Sequence, residues 1–166
     1  EARERLWTIT PYFVPDEALL YALGAAALRG VDVRILLPDK PDHRSVYLPS
    51  FSYYARTLPV GIKLYRYTAG FLHQKVFLVD HTCAAVGTAN LDNRSFRLNF
   101  ELTLLNYDAV FIETVEAMLA DDFNHSRMVA LEEYTERSFL FRLAVQSARL
   151  LAARYQTASI AEGNRC

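Results

Sequence analysis

His73, Lys75, Asn90 and Glu101 are the residues of this chain whose types and spacing suit catalysis, and all four fall within residues 71–101. Val76 to Val79 and Cys83 to Gly87 are apolar runs of strand length, and Asp80-His81-Thr82 between them is turn chemistry. A tight hairpin with His81 and Thr82 at its tip sets Lys75 opposite Thr88 and His73 opposite Asn90. Side chains alternate faces along a strand, so His73 and Lys75 point the same way. The open end of the hairpin then carries an imidazole, an ammonium and a carboxamide.

That trio suits a phosphodiester. Lysine is a mobile cationic donor for non-bridging oxygens, and asparagine adds two amide donors. A phosphodiester is an anion that repels anionic nucleophiles. A neutral imidazole beside fixed cations attacks it more readily, or donates it a proton near neutral pH. Gly87 leaves room for close backbone approach. Glu101, on the following strand, can hold the imidazole by its other nitrogen, as a carboxylate does in a catalytic triad. The bland alternative is a satisfied histidine at a sheet edge beside a solvated lysine.

The pattern His73-x-Lys75, Asp80, Gly87, Asn90 resembles the signature of the phospholipase D superfamily. The continuation Asn90-Leu-Asp-Asn-Arg-Ser-Phe-Arg-Leu-Asn-Phe-Glu101 resembles bacterial cardiolipin synthase, and the likeness runs from Leu6 to Tyr155. It implies a two-step mechanism that needs no metal or other cofactor. One histidine attacks phosphorus and becomes a phosphohistidine; the other protonates the leaving alcohol and later deprotonates the incoming one. In a cardiolipin synthase the donor is phosphatidylglycerol, glycerol leaves, and a second phosphatidylglycerol accepts the phosphatidyl group. The implied site residues are His73, Lys75, Asp80, Asn90 and Glu101. His73 is one of the histidine pair, Lys75 and Asn90 stabilise the pentavalent transition state, and Glu101 fixes the tautomer of His73. Asp80 sits at the turn, where a structural role is expected.

The chain departs from this family in one respect. Such enzymes carry two His-x-Lys motifs, and this chain has one; His43, His81 and His125 are followed two residues later by Ser45, Cys83 and Arg127. The expectation is therefore the C-terminal half of a longer protein, or else two copies paired about a twofold axis. The partners expected are the N-terminal half or a second copy, phosphatidylglycerol and anionic phospholipid, and a membrane surface. The expected location is the bacterial cytoplasmic (inner) membrane, peripheral for this stretch, with an anchor in the N-terminal part. Two other readings stand beside it. One is a single-motif homodimeric phosphodiesterase or nuclease. The other is a non-catalytic lipid-binding or structural half-domain, against which the intact set of site residues argues.

Composition and patterning supply the scaffold. A hydrophobic content of 52% sustains a core, and a net charge of −1 offers no bulk electrostatic case for nucleic acid. Cys83 and Cys166 make no disulfide framework, and uncharged runs such as Ala18 to Leu28 are too short to span a membrane. Leu6 to Val14 reads as a buried strand, Asp16 as the cap of a helix from Glu17 to Arg29 stopped by Gly30, and Val31 to Leu37 as the next strand. That order favours a parallel pair with a right-handed crossover and ligands at the strand ends. In the loop from Pro38 to Arg44, His43 and Arg44 either meet a lipid headgroup or are merely solvated. Ser45 to Leu58 reads as a helix broken at Pro49, with Tyr47, Phe51, Tyr53 and Tyr54 as core.

Gly61 to Tyr67 alternates as a strand with Ile62 and Leu64 on one side, and Phe100 to Asn106 is another strand. Asp92 and Arg94 between them read as a loop-fixing ion pair. Asp108 caps a helix through Phe123 that packs by Val110, Ile112, Val115, Met118 and Leu119, with His125 at its dipole end. Residues 126–137 are mixed and charged. Residues 139–155 form an amphipathic basic helix with Arg142 and Arg149 on one face, either resting on an anionic bilayer or packed on the protein. The fold class the resemblance implies is α/β, a phospholipase D-like layered α/β/α sandwich with a mixed, largely parallel sheet. The divisions expected are a catalytic half-domain over 1–136, the basic helix over 137–155 and a flexible tail over 156–166.

Overall fold

The computed structural model describes residues 1–40 and 44–148. Strand β1 (Arg5–Ile9) ends sooner than its apolar run, and β2 (Phe13–Val14) is a separate short strand. The expected single strand over Leu6 to Val14 is split because Pro11 has no N–H to continue a ladder. Asp16 caps α1 (Glu17–Leu28) by accepting from the Leu19 N–H at 2.9 Å. Gly30, at φ 92°, takes the left-handed conformation that ends the helix and turns the chain into β3 (Asp32–Pro38).

Helices α2 (Arg44–Phe51) and α3 (Tyr54–Thr57) follow, then a 3-10 turn at Leu58–Val60. The expected break falls after Pro49 and not at it: Ser52 turns both its N–H and its hydroxyl onto the Pro49 carbonyl, at 3.0 and 2.7 Å. Phe51, Tyr53 and Tyr54 are buried, as their reading as core residues required. On β4 (Lys63–Tyr67) and the residue before it, Ile62 and Leu64 are buried as expected. Arg66 continues the same alternation and is buried too. Its guanidinium donates to the Tyr54 hydroxyl, the Pro38 carbonyl and Ser50 Oγ, which satisfies a cation on a core face.

The remaining elements are β5 (Val76–Val79), β6 (Cys83–Gly87), β7 (Leu91–Asp92), α4 (Asn93–Arg97), β8 (Thr103–Asn106), α5 (Ala109–Asn124), β9 (Ser126–Met128), α6 (Glu132–Thr135) and α7 (139–148). Seven strands form one sheet in the order β8-β6-β5-β1-β3-β4-β9, and β2 pairs with β7 in a small second one. The main sheet is mixed. Its parallel part is confined to β1, β3 and β4, and its other four pairings are antiparallel. The parallel share is thus smaller than expected, since the hairpin and the outer strands β8 and β9 join by antiparallel pairing.

Side chains alternate across this sheet into two cores. Val33, Ile35 and Leu37 pack with α1, α2 and α3 on one face. Leu36, Val76, Leu78 and Ala84 pack with Ile112, Val115, Leu119 and Phe123 of α5 on the other. These are the layers of an α/β/α sandwich. Asp108 caps α5 by accepting from the Phe111 N–H at 2.9 Å. Val110 and Met118 are not among its buried residues, so the packing stripe is narrower than expected. His125 closes the other end, its Nδ1 2.9 Å from the Asp121 carbonyl.

Strand β9 lies in the charged stretch where no strand was expected. Ser-Arg-Met has no apolar alternation, and pairing with the edge of β4 fixes its conformation. On α7, Val145 is fully buried and Phe141 meets Phe51 edge-on, whereas Phe139, Leu140 and Leu143 face outward. One face of this helix therefore packs on the core. Arg149, Arg154, the 149–155 part of the expected basic helix, the 156–166 tail and His43 lie outside the described residues, and so do the side chains of Arg44 and Tyr47. Among the described residues no helix is long and apolar enough to cross a membrane.

Candidate active site

The hairpin of β5 and β6 carries the site, in a register one residue from the expected one. Val79 pairs with Cys83 and Val76 with Val86, leaving the three residues Asp80, His81 and Thr82 as the turn. Asp80 adopts a left-handed conformation with φ 50°, which Asp tolerates better than most residues. Lys75 consequently faces Gly87, whose N–H donates to the Lys75 carbonyl at 3.1 Å, and not Thr88. Gly87 is required for a reason other than ligand access. A Cβ there would collide with the Leu102 carbonyl and the backbone of Thr103, so the glycine lets the β8 edge approach.

His73 lies just before β5, in irregular backbone. Lys75 Nζ is 2.7 Å from His73 Nδ1 and donates to the His73 carbonyl at 2.9 Å, so the two side chains converge as expected. An ammonium has only donors; Nδ1 therefore accepts, and a neutral ring holds its proton at Nε2. Phe71 lies parallel to the imidazole at 5.7 Å between centroids, and Tyr12 meets it edge-on at 6.2 Å. Neither aromatic was anticipated. Phe71 stands two residues before His73, the one signal for it in the sequence; Tyr12 arrives from the distant loop between β1 and β2 and had none.

Asn90 is brought in by the small β2–β7 ladder. The Leu91 N–H donates to Thr10 Oγ1 at 3.2 Å, and the Asn90 N–H donates to Ser95 Oγ at 2.9 Å. The Asn90 side-chain oxygen is buried without a hydrogen-bond partner, an unusual state for a polar atom. His73, Lys75 and Asn90 line one cavity.

Glu101 does not hold the imidazole. Its carboxylate accepts from Thr88 Oγ1, from Ser95 Oγ at 2.9 Å and from Asn99 Nδ2 at 3.0 Å. These bonds, the Thr88 one first, hold its carboxyl below the usual range. Through Ser95 the carboxylate reaches the Asn90 backbone, so it braces the Asn90 loop. The triad-like geometry fails because β8 starts only at Thr103, which leaves Glu101 in the loop beside Thr88. Thr88, Ser95 and Asn99 are thus site-bracing residues that spacing alone did not reveal.

Asp92 and Arg94 form no ion pair. Asp92 is the N-cap of α4 and accepts from the Ser95 N–H at 2.8 Å. Burial pushes its carboxyl up against the pull of those bonds. Asp80 is structural, as expected. Its carboxylate accepts from the backbone N–H groups of Arg3, Glu4 and Arg5 at 3.0, 2.9 and 2.9 Å. Burial pushes its carboxyl up, but these donors outweigh it and hold it below the usual range.

An imidazole, an ammonium and a carboxamide thus meet at one cavity at the edge of a layered α/β sandwich. Solved structures share that fold. A phospholipase D family member, Nuc, from Salmonella typhimurium superposes with a TM-score of 0.68 at 22% identity, over 78% of this chain and 84% of that one. Phosphatidylserine synthase from Haemophilus influenzae gives 0.65 at 19% identity, over 96% of this chain and 41% of that one. A family profile described as "Cardiolipin synthase, PLD-like domain" matches residues 1–124, and the chain belongs to that family. Cardiolipin synthase A of Pseudomonas fluorescens is 53% identical over 151 residues, 91% of this chain and 32% of that protein. Cardiolipin synthase A of Pseudomonas syringae is 52% identical over the same lengths. The chain thus spans about a third of the length of the curated relatives it matches.

Proposed function

We propose that this chain is the C-terminal half-site of a longer enzyme that transfers a phosphatidyl group between two phosphatidylglycerol molecules and releases glycerol. The observation that carries this reading is the convergence of Lys75 on His73 at a cavity that Asn90 also lines. A site with one His-x-Lys motif lacks the second histidine of a phosphohistidine mechanism. A chain of a third of its relatives' length leaves room for that histidine in an N-terminal half. Exposed Phe96, Phe100 and Leu105 near the β8 edge give such a half an apolar surface to cover.

In this reading His73 is the proton carrier of the pair. Lys75 at Nδ1 leaves the proton on Nε2, ready for the departing glycerol oxygen, and the same nitrogen then takes the proton of the incoming hydroxyl. The histidine of the other half attacks phosphorus. The P–O bond to glycerol breaks as the P–N bond forms, and the second step reverses that exchange on the acceptor oxygen. Lys75 and Asn90 balance the charge on the equatorial oxygens, and Glu101 acts through Ser95 as a positioning residue. The outward Phe139, Leu140 and Leu143 of α7 rest on the inner-membrane surface, peripheral to the bilayer.

The test is turnover by the complete enzyme of phosphatidylglycerol and of single-stranded DNA side by side, with lipid products resolved. Cardiolipin and glycerol in equal amounts, with DNA intact, are expected. DNA cleavage without lipid turnover would replace this reading with the nuclease one.

A further inference from the structure

The cavity at the site has a polar end and an apolar body. Val76 pairs with Val86 and Val86 with Leu104, so three aliphatic side chains form a row across β5, β6 and β8. Lys75 and Gly87 come next along the strands, which sets this row directly against the site. Facing it are Phe111, Thr114, Val115 and Met118, at the i, i+3, i+4 and i+7 positions that make one face of α5. Together with His73, Lys75 and Asn90 these residues line a cavity of about 900 Å³. The apolar wall of the helix runs for roughly 10 Å.

Two features state what fits there. Thr114 turns its hydroxyl onto the Val110 carbonyl at 2.8 Å, leaving its methyl for the groove. The side chains of the strand row and the α5 stripe therefore offer the groove no free hydrogen-bonding group. Leu104, Val86 and Met118 are nevertheless left 63%, 39% and 36% exposed beside a cationic group. A hydrocarbon chain attached to a phosphate complements both ends at once.

We infer that this groove between α5 and the Val76–Val86–Leu104 row binds an acyl chain of the lipid whose phosphate lies at Lys75 and Asn90. The inference rests on the phosphodiester reading of the site, and it assigns lipid-chain recognition to Leu104, Phe111, Val115 and Met118.

The test is calorimetric binding of n-alkyl phosphates, from butyl to decyl and below their micellar concentrations, to the complete protein that carries this chain. Affinity is expected to rise about fourfold per added methylene, the gain from burying a CH₂ group. Met118→Trp fills the groove and Leu104→Gln makes its floor polar; each should bring the increment down toward onefold. Lys75→Ala should weaken every chain length by a common factor and keep the increment. A flat series in the unmodified protein would overturn the inference and mean that another part of the protein or a partner fills the groove. An increment that survives both groove substitutions would also overturn it. Should Lys75→Ala change nothing while the increment persists, the groove stands and the phosphate reading of the site fails.

Discussion

The two ends of one hairpin treat polar side chains in opposite ways. At the closed end, Asp80 is held by three backbone N–H groups, and Arg5 pairs with Glu116 beside His81. At the open end, His73 is exposed, Lys75 is half-buried against it, and Asn90 keeps a buried oxygen without a partner. Asp80 and His73 belong to the same sequence signature, yet the first fixes the N-terminal segment against the turn and the second faces the cavity. The closed-end groups tie chain segments together, whereas His73, Lys75 and Asn90 line a cavity that a substrate can enter.

Substitutions at the two ends should therefore separate activity from stability. The largest effect expected is from His73→Ala. It should lower phosphatidylglycerol turnover by at least about 10³-fold with unchanged thermal unfolding. The same variant should retain much of its rate on a phosphodiester with a 4-nitrophenyl leaving group, which needs no proton. Equal losses on both substrates would reverse the assignment of His73 as proton carrier. Lys75→Ala should cost about 10²-fold in kcat, in the range of a lost transition-state donor. A loss confined to KM would make Lys75 a binding group only.

Asp80→Asn should act in the other direction. It should destabilise the fold by about 2 kcal/mol, since charge-assisted hydrogen bonds are weakened, as read by denaturant unfolding. The pH dependence follows from the lowered Asp80 carboxyl. Its stabilisation is complete above its unfolded pKa of about 4 and disappears as pH falls from there through the folded value. The unmodified protein should lose stability across that acid window more steeply than Asp80→Asn, and parallel curves would contradict the closed-end account. Glu101→Gln should fold normally and lose about tenfold in kcat, an effect relayed through Ser95 and smaller than that of a direct clamp on His73. Chelators should change nothing, as the proposed mechanism uses no metal.

Sequence periodicity revealed most of the scaffold because one face of each element carries the apolar residues. Asp16, Gly30 and Asp108 announced their helix ends, and Val33, Ile35 and Leu64 their core faces. The pair His73 and Lys75 was legible because two residues at i and i+2 in extended chain lie close enough for the long lysine side chain to reach the imidazole, whatever the register. The register itself was not, since Asp80 in a left-handed conformation adds a residue to the turn. Glu101 was misplaced for a related reason: alternation predicts which face a residue takes and not where a strand begins. Arg66 and β9 escaped notice because a buried guanidinium and a three-residue edge strand owe their places to tertiary partners, Tyr54, Pro38 and Ser50 in one case and β4 in the other.

The central claim is that the open end of this hairpin is half of a catalytic centre. The direct measurement is glycerol release from phosphatidylglycerol by this chain alone, by the chain mixed with the upstream half, and by the complete protein, with the mass of each species measured by sedimentation. The account predicts no release by the chain alone and restoration when the upstream half is added. Cardiolipin formation by the chain alone as a dimer would show that two copies complete the site, and no restoration by the upstream half would leave a non-catalytic module.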